Sequence, residues 1–217
     1  MEKKQKLIIM SVLALTLIAI LCVVGYYWYN GTYFVATDNA SVAADTSNAV
    51  TLITAKLTEL NAQVGNTVSE NSIIARQDMK GQNVSNVENS VVRAPISGVI
   101  LQTSGVVGEI IPAGTVVAVL ADPSRIYINA NVEETDLHKV KVGQITDITI
   151  DQYSGVQFEG KVTEIGQASS SFFSILPQQS SGTYTKVIQT IPVKISIEKG
   201  DYRLLPGTNA YVKIHVK

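Results

Sequence analysis

Met79-Lys80, on a short polar connection, is the pair best suited by type to covalent chemistry, since the lysine amine could carry a biotinyl or lipoyl arm. The surrounding residues fit that use poorly. A biotin site takes Glu-Ala-Met-Lys-Met, whereas this chain has Gln77-Asp78-Met79-Lys80-Gly81. The interval from Lys80 to Gly98 is also longer than a tight carrier hairpin needs. Lys80 is therefore read as a solvated loop lysine, and no cofactor is expected. The two histidines, His138 and His215, stand far apart without the His-x-His or His-x-x-x-Asp spacing that would seat zinc, so no metal is expected. Glu133, Glu134 and Asp136 are the nearest thing to paired acids for proton transfer. They open a predicted short helix, where carboxylates complement the positive end of the backbone dipole. Arg93 is read as a local hydrogen-bond or ion-pair donor. There is no G-x-S-x-G nucleophile elbow and no glycine loop that would cradle phosphates. The single cysteine, Cys22, rules out an intramolecular disulfide and lies in an apolar run as a small hydrophobe. The sequence predicts no enzyme.

The elements that carry these residues are announced by a repeat. Val64-Gly65-Asn66-Thr67-Val68-Ser69-Glu70-Asn71-Ser72-Ile73-Ile74-Ala75 returns forty-three residues later as Val107-Gly108-Glu109-Ile110-Ile111-Pro112-Ala113-Gly114-Thr115-Val116-Val117-Ala118. The register holds upstream without a gap, through Ile53/Ile96, Ala55/Gly98 and Leu57/Ile100. Short apolar strands punctuated by V-G turns, written twice, predict two copies of one β-unit. Neither copy can bury its apolar face alone, so the two must clasp each other. Gly65, Gly98 and Gly108 are the predicted structural turn positions; Gly65 and Gly108 call for a positive φ.

Ahead of the repeat, residues 7–29 carry no charge. As a helix they span about 34 Å, enough to cross a bilayer with some tilt. Tyr26, Tyr27, Trp28 and Tyr29 form an aromatic belt at the far end. Lys3, Lys4 and Lys6 precede the run and the next basic residue is Lys56, which by the positive-inside rule places the N-terminus in the cytoplasm. The apolar run exceeds that of a cleaved signal peptide, and Leu21 stands where lipoprotein processing at Cys22 would want a small residue. The chain is read as a single-pass plasma-membrane protein with its bulk outside the cytoplasm.

The predicted organisation is an anchor (1–29), a linker with a strand-like start at Tyr33 to Ala36 (30–48), a sandwich of two half-motifs (49–78 and 91–122, joined by 79–90) and a small β-barrel (123–217). The barrel rests on alternation at Ile126, Ile128, Ala130 and Val132 and on strands predicted at 144–151, 157–165, 187–198 and 208–216. A short helix is predicted over 133–140. The serine-rich loop from Gln167 to Thr185 carries Phe172, Phe173, Ile175, Leu176 and Pro177, which either cap the barrel's own end or meet a partner subunit. With 17 basic and 18 acidic residues, charge points to no nucleic acid.

Several ordered stretches resemble membrane fusion proteins of the HlyD/EmrA type, the adaptor subunits of drug and toxin exporters. They are Ala36-Thr37-Asp38-Asn39-Ala40, Val92-Arg93-Ala94-Pro95-Ile96-Ser97-Gly98-Val99-Ile100, Leu120-Ala121-Asp122-Pro123, Ala130-Asn131-Val132-Glu133-Glu134-Thr135, Val142-Gly143-Gln144, Ser174-Ile175-Leu176-Pro177 and Ile191-Pro192-Val193-Lys194-Ile195. The resemblance implies a mainly β fold, with a lipoyl/biotinyl-like barrel-sandwich hybrid followed by a β-barrel behind a membrane anchor. It implies a polytopic inner-membrane transporter as partner, of the major facilitator type or ATP-driven, with the former favoured, and several copies assembling with one another. One departure stands out. Family members usually insert a long α-helical hairpin between the half-motifs, and residues 79–90 are too few and too rich in asparagine and glycine to form one. Either the organism has no outer membrane to reach or the hairpin has been deleted. Two other classes stay open at this point, a membrane-tethered carrier subunit and a stand-alone cell-surface binding module.

Overall fold

The computed structural model describes residues 2–78, 87–173 and 188–217. A helix runs from Glu2 to Tyr33. Within it Leu13–Tyr33 is long and apolar enough to cross a membrane. The helix is apolar all round instead of showing one apolar stripe, the pattern of a lipid-facing span. Its aromatic end is ordered by local contacts: the Tyr29 and Tyr33 rings stack at 4.6 Å, and the Asn30 amide donates to the Tyr26 carbonyl at 3.2 Å.

The rest divides into two compact units. One takes residues 43–127, the other residues 1–42 together with 128–217. The first contains the short strands Ala55–Leu60, Thr67–Val68, Ile73–Gln77, Val91–Arg93, Gly98–Thr103 and Ile110–Ile111. They surround a core of Ala49, Leu57, Ile74, Ala75, Val92, Ile100, Ile111, Val117, Ala118 and Leu120.

Hydrogen bonding in this unit is reciprocal about the repeat. Thr67 pairs with Val99 and Val68 with Gly98; at the equivalent positions Ile110 pairs with Lys56 and Ile111 with Ala55. The Gly65 N–H donates to the Ile100 carbonyl at 2.8 Å, and the Gly108 N–H to the Leu57 carbonyl at 2.7 Å. Ile100 N–H returns a bond to Asn66 O, as Leu57 N–H does to Glu109 O. Asn71 N–H bonds Ala94 O, and its counterpart Gly114 N–H bonds Thr51 O. Each copy thus satisfies the backbone of the other, a clasp the sequence offset implied. Buried backbone groups need such partners, so neither half is a self-sufficient unit.

The second unit is a closed β-barrel. Its strands run Phe34–Val50, Asn209–His215, Ile145–Ile150, Gln157–Ile165, Thr190–Ile197 and Val116–Glu133 in spatial order, and the last pairs back onto the first. Alternate residues fill the interior: Ile128, Ala130 and Val132; Ile148 and Ile150; Phe158 and Val162; Val193 and Ile195; Ala210, Val212 and Ile214. The inward position between Phe158 and Val162 is Gly160. A Cβ there would lie 2.4 Å from the Ser196 carbonyl oxygen and 2.6 Å from the Ile148 side chain.

Three local expectations need correction. The stretch expected to be a polar linker is a 17-residue strand, Phe34–Val50. Its polar residues point outward while Val35, Ala40, Val42 and Ala49 are buried. Part of it pairs with Asn209–His215, and a register shift between Thr37 and Ala40 absorbs Asp38 and Asn39. Tertiary pairing there overrides weak strand propensity. The boundary expected between 122 and 123 falls inside one continuous strand, Val116–Glu133. The helix expected over 133–140 is a single turn, Glu134–Leu137, continued only by N–H bonds from Lys139 to Asp136 and from Val140 to Leu137.

Candidate interaction surfaces

The V-G turns carry exposed apolar side chains on the repeat unit. Gly65 and Gly108 adopt φ of +89° and +99°, a conformation that L side chains rarely enter. That conformation lets each turn reverse sharply, and the preceding valine is left in solvent. Val64 and its repeat counterpart Val107 are 64% and 55% exposed, and Val106 and Ile110 stand out beside Val107. Gly98 has a different constraint. Its φ is not positive, but a Cβ would sit 2.4 Å from the Ala121 carbonyl oxygen, so the strand can approach only because no side chain is present.

Gln77 breaks the repeat in the core. The equivalent position in the second copy is Leu120, and both are buried. The Gln77 amide nitrogen donates to the carbonyls of Ile53 at 3.1 Å and Ala55 at 3.2 Å, with Ile111 O at 3.5 Å. One side chain therefore ties strand segments from both copies. Its oxygen has no partner among the described residues. The signal in the sequence was a glutamine aligned with a leucine.

Arg93 donates to the Glu88 carboxylate and to the Asn71 carbonyl, the latter at 2.9 Å. The Arg93 hydrogen bond, and then its charge, hold the Glu88 carboxyl below its usual range. Both side chains are well exposed, so this pair fastens the edge of the sandwich. Glu134 and Asp136 lie in the one-turn helix and Glu133 precedes it. Asp136 accepts from Lys139 at 2.8 Å. His138 Nδ1 lies 2.9 Å from the Thr135 carbonyl, and His215 Nε2 lies 2.8 Å from the Asp147 carboxylate. These acids and histidines are not brought together, and among the described residues no group of three His, Cys, Asp or Glu could hold a metal.

Of the aromatic loop in the barrel unit, Phe172 is 77% exposed on a single turn, Ser170–Phe173. Ile175, Leu176 and Pro177 lie outside the described residues, as does Lys80. A feature without a sequence signal is a basic pocket where the end of the long helix meets Lys139, Lys141 and Lys217.

Comparison with known proteins adds a family. Residues 126–214 match the YknX-like beta-barrel domain. The chain is 37% identical over 184 residues to the putative efflux system component YhbJ of Bacillus subtilis, covering 84% of this chain and 80% of that protein. It is 35% identical to the probable multidrug resistance protein EmrK of Escherichia coli over 49% of this chain, and spans only 28% of EmrK. Among solved structures, a MacA-MexA chimeric protein containing the Pseudomonas aeruginosa MexA alpha-hairpin domain superposes with a TM-score of 0.68 at 15% identity, over 85% of this chain and 80% of that one. That likeness concerns the fold.

Proposed function

Because the chain belongs to the membrane fusion protein family of efflux adaptors, of the HlyD/EmrA type, we propose that it is the anchored adaptor of an exporter, assembling on the outer face of an inner-membrane transporter. The observation that carries this is a chain built for attachment: a lipid-compatible helix continuous with two β-units whose apolar residues Val64, Val106, Val107, Ile110 and Phe172 stand in solvent. Neighbouring apolar residues left in solvent, such as Val106, Val107 and Ile110, are where a partner would bury surface. The role is mechanical and not catalytic. The N-terminus lies in the cytoplasm, and several copies surround and extend the exit path, with the V-G tips and the Phe172 loop as contact points. A transporter of the major facilitator type is favoured over an ATP-driven one.

The short connection at 79–90 belongs to the natural protein. The Bacillus relative supports this, since the aligned region makes up 80% of it and leaves no room for a long inserted hairpin. The adaptor then serves an exporter without reaching an outer-membrane channel.

The test is a mild-detergent pull-down of the tagged full-length chain from native membranes, with co-purifying proteins identified by mass spectrometry. A stoichiometric polytopic transporter is expected. Recovery of the chain alone, repeated after crosslinking, would overturn the adaptor reading.

A further inference from the structure

The basic pocket at the foot of the barrel unit has no part in the proposed docking to a transporter. It holds about 370 Å³ and is lined by Gly31 and Thr32 from the end of the long helix, by His138, Lys139 and Lys141 from the turn after the short helix, and by Lys217. The Lys139 ammonium donates to the Asp136 carboxylate at 2.8 Å and reaches the Gly31 carbonyl at 3.4 Å, which fixes this loop against the helix end. Asp136 is thereby committed to Lys139, and Asp147 nearby on the barrel to His215. Among the described residues the Lys141 and Lys217 ammonium groups make no ion pair, so both can turn toward an anion in the pocket. The Lys217 ammonium lies 5.6 Å from the centre of the Tyr33 ring, holding it beside the helix.

Depth decides what such a pocket can meet. Tyr26, Tyr27, Trp28 and Tyr29 are the residues that settle at a membrane–water interface. Gly31 and Thr32 follow Trp28 by about 5 Å along the helix axis. That puts the pocket level with lipid headgroups, where flexible lysine stems can turn their ammonium groups toward phosphate. Lysines near an anionic surface bind at roughly a factor of five each.

We propose that this pocket seats the phosphate of an anionic phospholipid headgroup in the leaflet from which the helix emerges. Seating one lipid there ties the foot of the barrel to the bilayer and sets the height of the unit above it. The proposal rests on the anchored reading above.

Native mass spectrometry of the full-length chain in detergent, titrated with phosphatidylglycerol, phosphatidylcholine or inorganic phosphate, tests it. The expected result is a retained phosphatidylglycerol adduct, weak binding of phosphatidylcholine, and roughly thirtyfold weaker phosphatidylglycerol binding by the Lys141→Gln/Lys217→Gln double variant. Unchanged melting of that variant, whose substitutions lie at exposed positions, shows that folding is intact. Equal binding of the two lipids, or equal binding by the variant, would overturn the proposal. Phosphate that binds as tightly as the lipid and displaces it would overturn it in favour of a free-anion site. Flotation of wild type with phosphatidylcholine vesicles reads the anchor separately. If wild type fails to float, the anchored reading falls, whereas a lost headgroup preference with normal flotation sinks only the lipid site.

Discussion

Alanine placed at Gly98 and at Gly65 separates two reasons for a glycine within one repeat unit. At Gly65 a Cβ meets nothing within 4 Å, so Gly65→Ala costs only the left-handed backbone, φ +89°, or about 1 kcal/mol. At Gly98 the backbone is ordinary, but the Cβ would lie 2.4 Å from Ala121 O and 2.9 Å from Ala121 C. Contacts below 3.0 Å are essentially unknown for a real Cβ, so the strand must move by at least about 0.6 Å. Val68 pairs with Gly98 on one side, and Ala121 pairs with the adjacent Val99 on the other, so the strand has little room to retreat. A shift of that size in a packed sheet costs about 2–3 kcal/mol. At about 2–4 °C per kcal/mol for a chain of this size, Gly98→Ala should lower Tm by roughly 5–10 °C and Gly65→Ala by roughly 2–4 °C. Thermal melting of full-length variants in one detergent, followed by circular dichroism, measures both. Ala55 already occupies the position equivalent to Gly98 in the first copy, so sequence similarity alone would suggest that alanine is harmless there. Equal losses, or a smaller loss at Gly98, would refute the close approach to Ala121 as the reason for the glycine.

Gln77→Ala removes the amide that donates to carbonyls of both copies and should cost about 2 kcal/mol, while Gln77→Leu, which restores the residue of the second copy, should lose less in the same melt. The Glu88 carboxyl is held below its ordinary range by Arg93. Because the folded value is the lower one, its contribution is present above the unfolded value and is lost as pH falls through the folded one. The Tm difference between wild type and Glu88→Gln should therefore be largest near neutral pH and shrink as pH falls through and below the ordinary carboxylate range; a difference that grows on acidification would contradict the pairing. Phe172→Ala, at an exposed position, should change stability by less than about 0.5 kcal/mol yet weaken recovery of the transporter in a pull-down. Val107→Asp should leave melting nearly unchanged and reduce chemical crosslinking between copies. Full crosslinking would exclude that tip from a copy–copy contact.

Sequence alone carried what depends on local pattern. Twenty or more uncharged residues ending in an aromatic belt mark a candidate membrane span, because a helix apolar all round has to be surrounded by apolar material, in a bilayer or in a protein core. The forty-three-residue offset contained the clasp, since two half-built β-units with matching turns can satisfy their backbones only on each other. Alternation at Ile126, Ile128, Ala130 and Val132 marked a barrel strand because a closed sheet has one dry side. What depends on distant partners was decided only in three dimensions. Past its strand-like start at Tyr33 to Ala36, the stretch 30–48 reads as a linker because its residues are small and polar; it lies in a strand, and Asn209–His215, far along the chain, offers hydrogen bonds to its first part. Gln77 looked like one polar residue among others until burial placed its amide against carbonyls of both copies. The basic pocket joins residues 31–32, 138–141 and 217, three segments with no shared motif. Periodicity records which side of an element is dry, but carries no record of which elements meet, and charge acts through space without regard to chain order.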